Sequence, residues 1–310
     1  GGAITGVTNF EVTGASTLGA NVTTSGTQLY SGAVTLSGGD RTLSGTTITT
    51  GSTLAGGGNA LTITGDVSVG GAITGVTNFS VSGASTLGGD VTTTGTQIYT
   101  GAVTVSGGDR TLTGTTIQNA STIAGGGNGL TIDGIVDVDG AITGVTNFVV
   151  TGASNLGANV TTTGTQNYNG AVTLSGGDRT LSGTTITTGS TLAGGGNALT
   201  ITGDASVGGA ITGVTNFEVS GASTLGADVT TTGTQIYNGA VTLAGGNRTL
   251  TGTTIQNVST IAGGGNGLTI DGIADVGGAI TGVTNFAVTG ASNLGANVTT
   301  SGTQIYTGAV

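Results

Sequence analysis

The decapeptide GGAITGVTNF opens the chain at Gly1 and returns at Gly70, at Asp139 as DGAITGVTNF, at Gly208 and at Gly277. The intervals 70−1, 139−70, 208−139 and 277−208 all equal 69. A fixed period of this length means that one unit cannot bury its own apolar face and must stack on copies of itself. The chain therefore reads as a single continuous solenoid over 1–310, with units 1–69, 70–138, 139–207, 208–276 and a partial unit 277–310. It lacks an initiator Met and stops partway through the fifth unit, so it reads as a segment of a longer protein. A longer rhythm overlies the first. Units one and three carry TTITTGSTLAGGGNALTITGD where units two and four carry TTIQN(A/V)STIAGGGNGLTIDGI, so the full repeat is a pair of units.

Within a unit, extended pieces of three to five residues are separated by Gly-containing corners. Phe10 and Val12 alternate with Asn9 and Glu11, Val34 and Leu36 with Ala33 and Thr35, Leu61 and Ile63 with Ala60 and Thr62, and Val67 and Val69 with Asp66 and Ser68. Period-2 alternation points one set inward and the other outward. The TG, SG, GG and GGGN steps supply the positive-φ positions that sharp corners need. Hairpins would need Asn-Gly or Asp-Gly turns between longer strands, and those signals are mostly missing.

The 67 glycines come without proline or a third-position period, which excludes a collagen triple helix. At 35% hydrophobic and 6% charged residues, with regularly placed Val, Ile and Leu, the chain does not read as disordered. The expected fold is all-β, a parallel β-helix. About three coils per unit, each one third of the repeat, bring Phe10/Val12, Val34/Leu36 and Leu61/Ile63 into rough register; four shorter coils stay open as the alternative. Three coils would advance each unit by roughly 14 Å.

The charge balance is 4 Arg against 14 acidic residues, a net of −10, and Arg41, Arg110, Arg179 and Arg248 lie far apart in sequence. A nucleic-acid or anionic-membrane partner would want a basic stripe, which this chain lacks. Without Cys there is no disulfide framework and no thiolate metal site. No apolar run approaches the length of a membrane span, and no leader is evident. With no His, Cys or Lys, catalysis would rest on carboxylates or Asp with Arg, and would show as a break in one unit. The units differ only by conservative swaps spread along the chain, so the expectation is no enzyme, no catalytic residue, no cofactor and no metal.

Several series are candidates for sites. Phe10, Phe79, Phe148, Phe217 and Phe286, with Tyr30, Tyr99, Tyr168, Tyr237 and Tyr306, read as core or as an aromatic track for sugars. Asp40-Arg41, Asp109-Arg110 and Asp178-Arg179, with Asn247-Arg248 in the fourth copy, read as solvated corners with weak ion pairing. AGGGNALTI at 55–63 and AGGGNGLTIDG at 124–134 resemble a calcium nonapeptide but place Asn59 and Asn128 where Asp is wanted. Asp133, Asp137, Asp139, Asp271 and Asp275 leave room for a surface Ca²⁺ site. Runs such as NVTTSGT suggest ranked Thr on an ice- or crystal-binding face, which would need Thr at the same place in every coil, whereas the runs come once per unit.

The segments TTSGTQLYSGAVTLSGGDRTLSG, TTTGTQIYTGAVTVSGGDRTLTG and TTTGTQNYNGAVTLSGGDRTLSG are similar to the Gly/Thr/Val-rich repeats of filamentous-haemagglutinin-type bacterial giant exoproteins and adhesins. The resemblance spans essentially the whole chain and is one of repeat style. It implies a right-handed parallel β-helix, export, and display as a long fibre at the bacterial cell surface, and it carries over no catalytic residue. The expected function is thus a structural or adhesive rod segment of a secreted surface fibre, contacting cells, matrix, glycans or copies of itself. The alternatives are a passive stalk for a toxin or enzyme domain outside this segment, and an ice- or glycan-binding repeat surface.

Overall fold

The computed structural model describes residues 2–310, which contain strands and corners but no helix. The chain divides into two compact units, Gly1–Ala153 and Ser154–Val310, and each is a parallel β-solenoid with about 19 residues per turn. Most strands are three residues long because a short inward-outward-inward step is all that one face of a narrow shaft requires. In Val34–Leu36 the two apolar ends are 1% and 2% exposed while Thr35 faces solvent. Burying both ends on every face contributes roughly 1.5–3 kcal/mol per Val, Leu or Ile.

Strand pairing in the first unit sorts into three columns. One runs Ile4, Val22, Leu43, Ile63, Val81, Tyr99, Asn119, Val138. The second runs Phe10, Gln28, Ile48, Val67, Ser85, Val103, Ile123, Ile142. The third runs Ser16, Val34, Leu54, Ile73, Val91, Leu112, Ile132, Val150. Steps within a column are uneven, for example 22−4 = 18, 43−22 = 21 and 63−43 = 20.

Counting along the chain, eleven column positions separate Ile4 from Ile73, so one repeat makes 11/3, or three and two-thirds, coils. The coil is shorter than the expected third of a repeat, because the repeat does not close a whole number of turns. Each repeat starts one face away from the last: Ile4, Ile73 and Ile142 stand in the first, third and second columns. Ile211 and Ile280 likewise occupy different columns in the second unit, that of Ser154 and that of Gln166. The expected alignment of Phe10 with Val34 is therefore not found; Phe10 pairs with Gln28, and Val34 with Ser16 and Leu54. At about 4.8 Å per coil, a repeat advances roughly 17 Å.

Glycine is forced at a few corners. At Gly65 φ is +122°, and an added Cβ would lie 1.9 Å from the Gly45 carbonyl of the coil before. Gly57 and Gly58 have φ of +60° and +80° and form the wide corner of the GGGN segment. Asn59 closes that corner by donating Nδ2 to the Gly56 carbonyl at 2.8 Å, a structural role in place of a metal-ligand one.

Candidate functional site

The polar residues that recur once per repeat are arranged as ties between coils. The deepest is built on Gln28, Gln97, Gln166 and Gln235, each 0% exposed inside the apolar shaft. Gln97 donates Nε2 to the carbonyls of Val91 and Thr113, both at 2.9 Å, and its Oε1 accepts the Tyr99 hydroxyl at 2.8 Å. The amide sits where the strand pairing shifts register between Thr113 and Thr116, and it supplies the Thr113 carbonyl with a donor there. Gln28 and Gln235 repeat the geometry on Val22 and Ser44, and on Val229 and Thr251. Burial holds the hydroxyls of Tyr99, Tyr168 and Tyr237 well above the ordinary tyrosine range, so they stay protonated donors.

Both aromatic series are core except Phe10 and Tyr306, which are half-buried. Phe79 meets Tyr99 edge-to-face with ring centroids 5.9 Å apart, and Phe217 meets Tyr237 in the same way at 5.9 Å. No ring in these pairs is free to stack on a sugar. Sequence reasoning misses the Gln partner of each Tyr; its signal is the constant Gln-x-Tyr spacing, with both ends in phase on one strand face.

The Asp-Arg corners also differ from expectation. Arg41 is 9% exposed and reaches back one coil, donating Nε to the Leu18 carbonyl at 3.1 Å and Nη2 to the Gly19 carbonyl at 2.8 Å, and it also bonds the Ser37 carbonyl. Asp40 reaches forward, its Oδ1 accepting from the Ala60 amide at 2.8 Å. The Asp40-Arg41 pair is thus a two-way tie between coils and not a solvated ion pair, whereas Arg110 bonds only the Ser106 and Asp109 carbonyls of its own corner, each at 3.1 Å. Asn247 replaces the acid in the fourth copy without loss, accepting from the Gly267 amide at 2.7 Å. There Arg248 adds an ion pair to Asp228 at 3.8 Å, with Asp228 half exposed.

The same device recurs at other corners. Asn9, Asn78, Asn216 and Asn285 each accept an amide from the next coil at 2.9 Å. Asn21 does this for Thr42, and Asp90 at the equivalent place does it for Thr111, both at 3.0 Å. Asn and Asp interchange because only the Oδ1 acceptor is used.

What remains outward is mostly hydroxyl. In the first unit Thr49, Ser68, Thr86 and Thr104 occupy adjacent coils of one column, followed by Ala124 and Thr143. The second unit repeats this with Thr187, Ser206, Thr224, Thr242, Ala262 and Thr281. The Thr runs come once per repeat, yet the fractional coil count brings different parts of the repeat into register, so outward hydroxyls do follow one another. This corrects the expectation that Thr could not rank coil after coil. In the second and fourth 69-residue repeats the outward face also carries Gln118 bonded to Asp137 at 3.4 Å and Gln256 bonded to Asp275 at 3.1 Å, beside Ile135 and Ile273, which are 44% and 45% exposed.

Among the described residues no group of three or more His, Cys, Asp or Glu side chains is placed to hold a metal, and no helix is long and apolar enough to cross a membrane. Asp133 and Asp271, candidate calcium ligands by sequence, instead accept the hydroxyls of Thr151 at 2.9 Å and Thr289 at 2.8 Å. Comparison with known proteins finds no matching family, no similar curated protein and no similar solved structure.

Proposed function

We propose that this chain is a structural and adhesive rod segment of a secreted bacterial surface fibre, in which added repeats add reach and the outward Thr/Ser/Asn face makes weak, repeated contacts with glycans, matrix or other copies. The observation that carries the reading is the use of the recurrent polar side chains. Gln97, Arg41, Asp40, Asn78 and Asp90 all bind the backbone of a neighbouring coil, so the repeat as a whole serves to hold coil on coil. The resemblance to filamentous-haemagglutinin-type repeats supports display at the cell surface. The ranked hydroxyls favour a second reading, an ice- or glycan-binding face, because parallel coils space them at about 4.8 Å.

Two measurements test the proposal. Chains of two, four and eight repeats imaged by electron microscopy should lengthen by about 17 Å per repeat, and globular particles would end the rod reading. Immobilised chain should then capture cells or glycans better than a variant with the outward Thr changed to Ala. Equal capture would leave a passive stalk, and thermal hysteresis abolished by the same changes would select the ice-binding reading.

A further inference from the structure

The chain contains four Asn-Gly steps, at Asn128, Asn169, Asn238 and Asn266. This dipeptide is the one most open to intramolecular deamidation, because no side chain shields the following amide nitrogen. The structure separates the four by what their atoms are bonded to.

Asn128 and Asn266 lie in the GGGN corners, and both reacting groups are held there. Asn128 donates Nδ2 to the Gly125 carbonyl at 3.0 Å, and the Gly129 amide is bonded to Asp109 Oδ1 at 2.6 Å. Asn266 donates Nδ2 to the Gly263 carbonyl at 2.9 Å, and the Gly267 amide is bonded to Asn247 at 2.7 Å. Gly129 and Gly267 are also buried. Attack by either amide would first break these bonds.

Asn238 is different. Its side chain is exposed and touches only the carboxylate of Glu218, at 3.2 Å. Its own amide keeps the ladder bond to Val219 at 3.0 Å, but the Gly239 amide makes no such bond, so its attack breaks no backbone bond between coils and gives up only the exposed contact with Glu218. The glycine is imposed by packing, since a Cβ at Gly239 would sit 2.3 Å from the Gly221 carbonyl. Asn is not imposed: the equivalent corners carry Ser31, Thr100 and Thr307.

We propose that Asn238-Gly239 is a site of spontaneous self-modification, while Asn128-Gly129 and Asn266-Gly267 are protected by the fold. The Gly239 nitrogen, losing its proton to hydroxide, attacks Asn238 Cγ. The Cγ–Nδ2 bond breaks and ammonia leaves, giving a five-membered succinimide. Water then opens either carbonyl to aspartate or isoaspartate. The product sets a second carboxylate against Glu218 and adds one negative charge to the outward face. Asn169-Gly170, one repeat earlier and likewise exposed, should follow the same course.

The test is peptide mass spectrometry of the folded chain held at mildly alkaline pH. The peptide containing Asn238 should gain about 1 Da, with isoaspartate detected by enzymatic methylation. The Asn128 and Asn266 peptides should react on the order of tenfold or more slowly, since local opening must come first. In urea all four should react alike. Equal rates at the four sites in the folded chain would overturn the proposal, as would an Asn238 that stays intact while the urea-unfolded chain converts. Asn238→Ser should abolish its signal without changing the others.

Discussion

Replacing Gln97 by Leu puts the buried tie under direct test. Leu conserves much of the volume but leaves the Tyr99 hydroxyl without its 2.8 Å acceptor and the Val91 carbonyl without its 2.9 Å donor. The Thr113 carbonyl is partly covered, since the Thr93 hydroxyl also reaches it at 3.3 Å. An orphaned buried group costs about 1–3 kcal/mol, and because the Val91 carbonyl keeps its strand pairing with Leu112, the one group left without a partner, the Tyr99 hydroxyl, predicts a loss of about 1–3 kcal/mol. Tyr99→Phe leaves only the Gln97 Oε1 unpartnered and should cost about 1–2 kcal/mol. In the double variant both ends of one bond are removed together, so the combined loss should fall short of the sum by about 1–2 kcal/mol. Guanidinium denaturation, read alongside hydrogen exchange of the coil amides, is the appropriate assay, because stacked coils need not unfold in one step. A Gln97→Leu chain within about 0.5 kcal/mol of the parent, or strict additivity, would refute the reasoning.

Other outcomes follow from the same geometry. Asp109→Asn should be nearly neutral, as the natural Asn at position 247 shows, whereas Asp109→Ala should cost about 1 kcal/mol by leaving the Gly129 amide unbonded, measurable by thermal melting. Gly65→Ala, with its Cβ driven to 1.9 Å from a carbonyl, should cost about 3 kcal/mol or more, while Gly58→Ala meets open space and should lose only about 1–2 kcal/mol to its left-handed backbone. Burial raises the folded-state pKa of Tyr99, Tyr168 and Tyr237, so their contribution is intact below the unfolded value near 10 and declines as pH climbs past it. Each should lower stability by about 1.4 kcal/mol per pH unit there, with tyrosinate absorbance appearing only as the chain unfolds.

The solenoid itself was legible from the repeat period, the short alternating strands and the absence of hairpin turns. The buried side of each strand was legible too, as with Val34 and Leu36. Coil length was not. A reader of sequence expects a repeat to contain whole turns, and here the sequence period and the structural period differ by a third of a coil. That mismatch hid the partners of every strand, and with them the ranking of Thr86 on Thr104. It also hid the roles of polar residues. Arg41 looked like a solvated charge because its acceptors, the carbonyls of Leu18 and Gly19, lie one coil back and carry no side-chain signal. The Gln-x-Tyr spacing points from Gln97 to Tyr99, but nothing local announces the carbonyl that the same amide satisfies at Thr113. Asn247 in place of Asp read as the loss of a carboxylate, when the carboxylate was serving only as an acceptor.

Which residues neighbour each other across coils defines this fold, and pyrene excimer fluorescence reports it directly in a chain that has no Cys of its own. Thr86→Cys with Thr104→Cys places one label on each of two in-register strands, about 4.8 Å apart, and should give a strong excimer band in the folded chain that guanidinium abolishes. Thr86→Cys with Asp109→Cys has the separation that a coil of one third of a repeat would bring into register, and it should give little. An excimer from the second pair and none from the first would contradict the fold described.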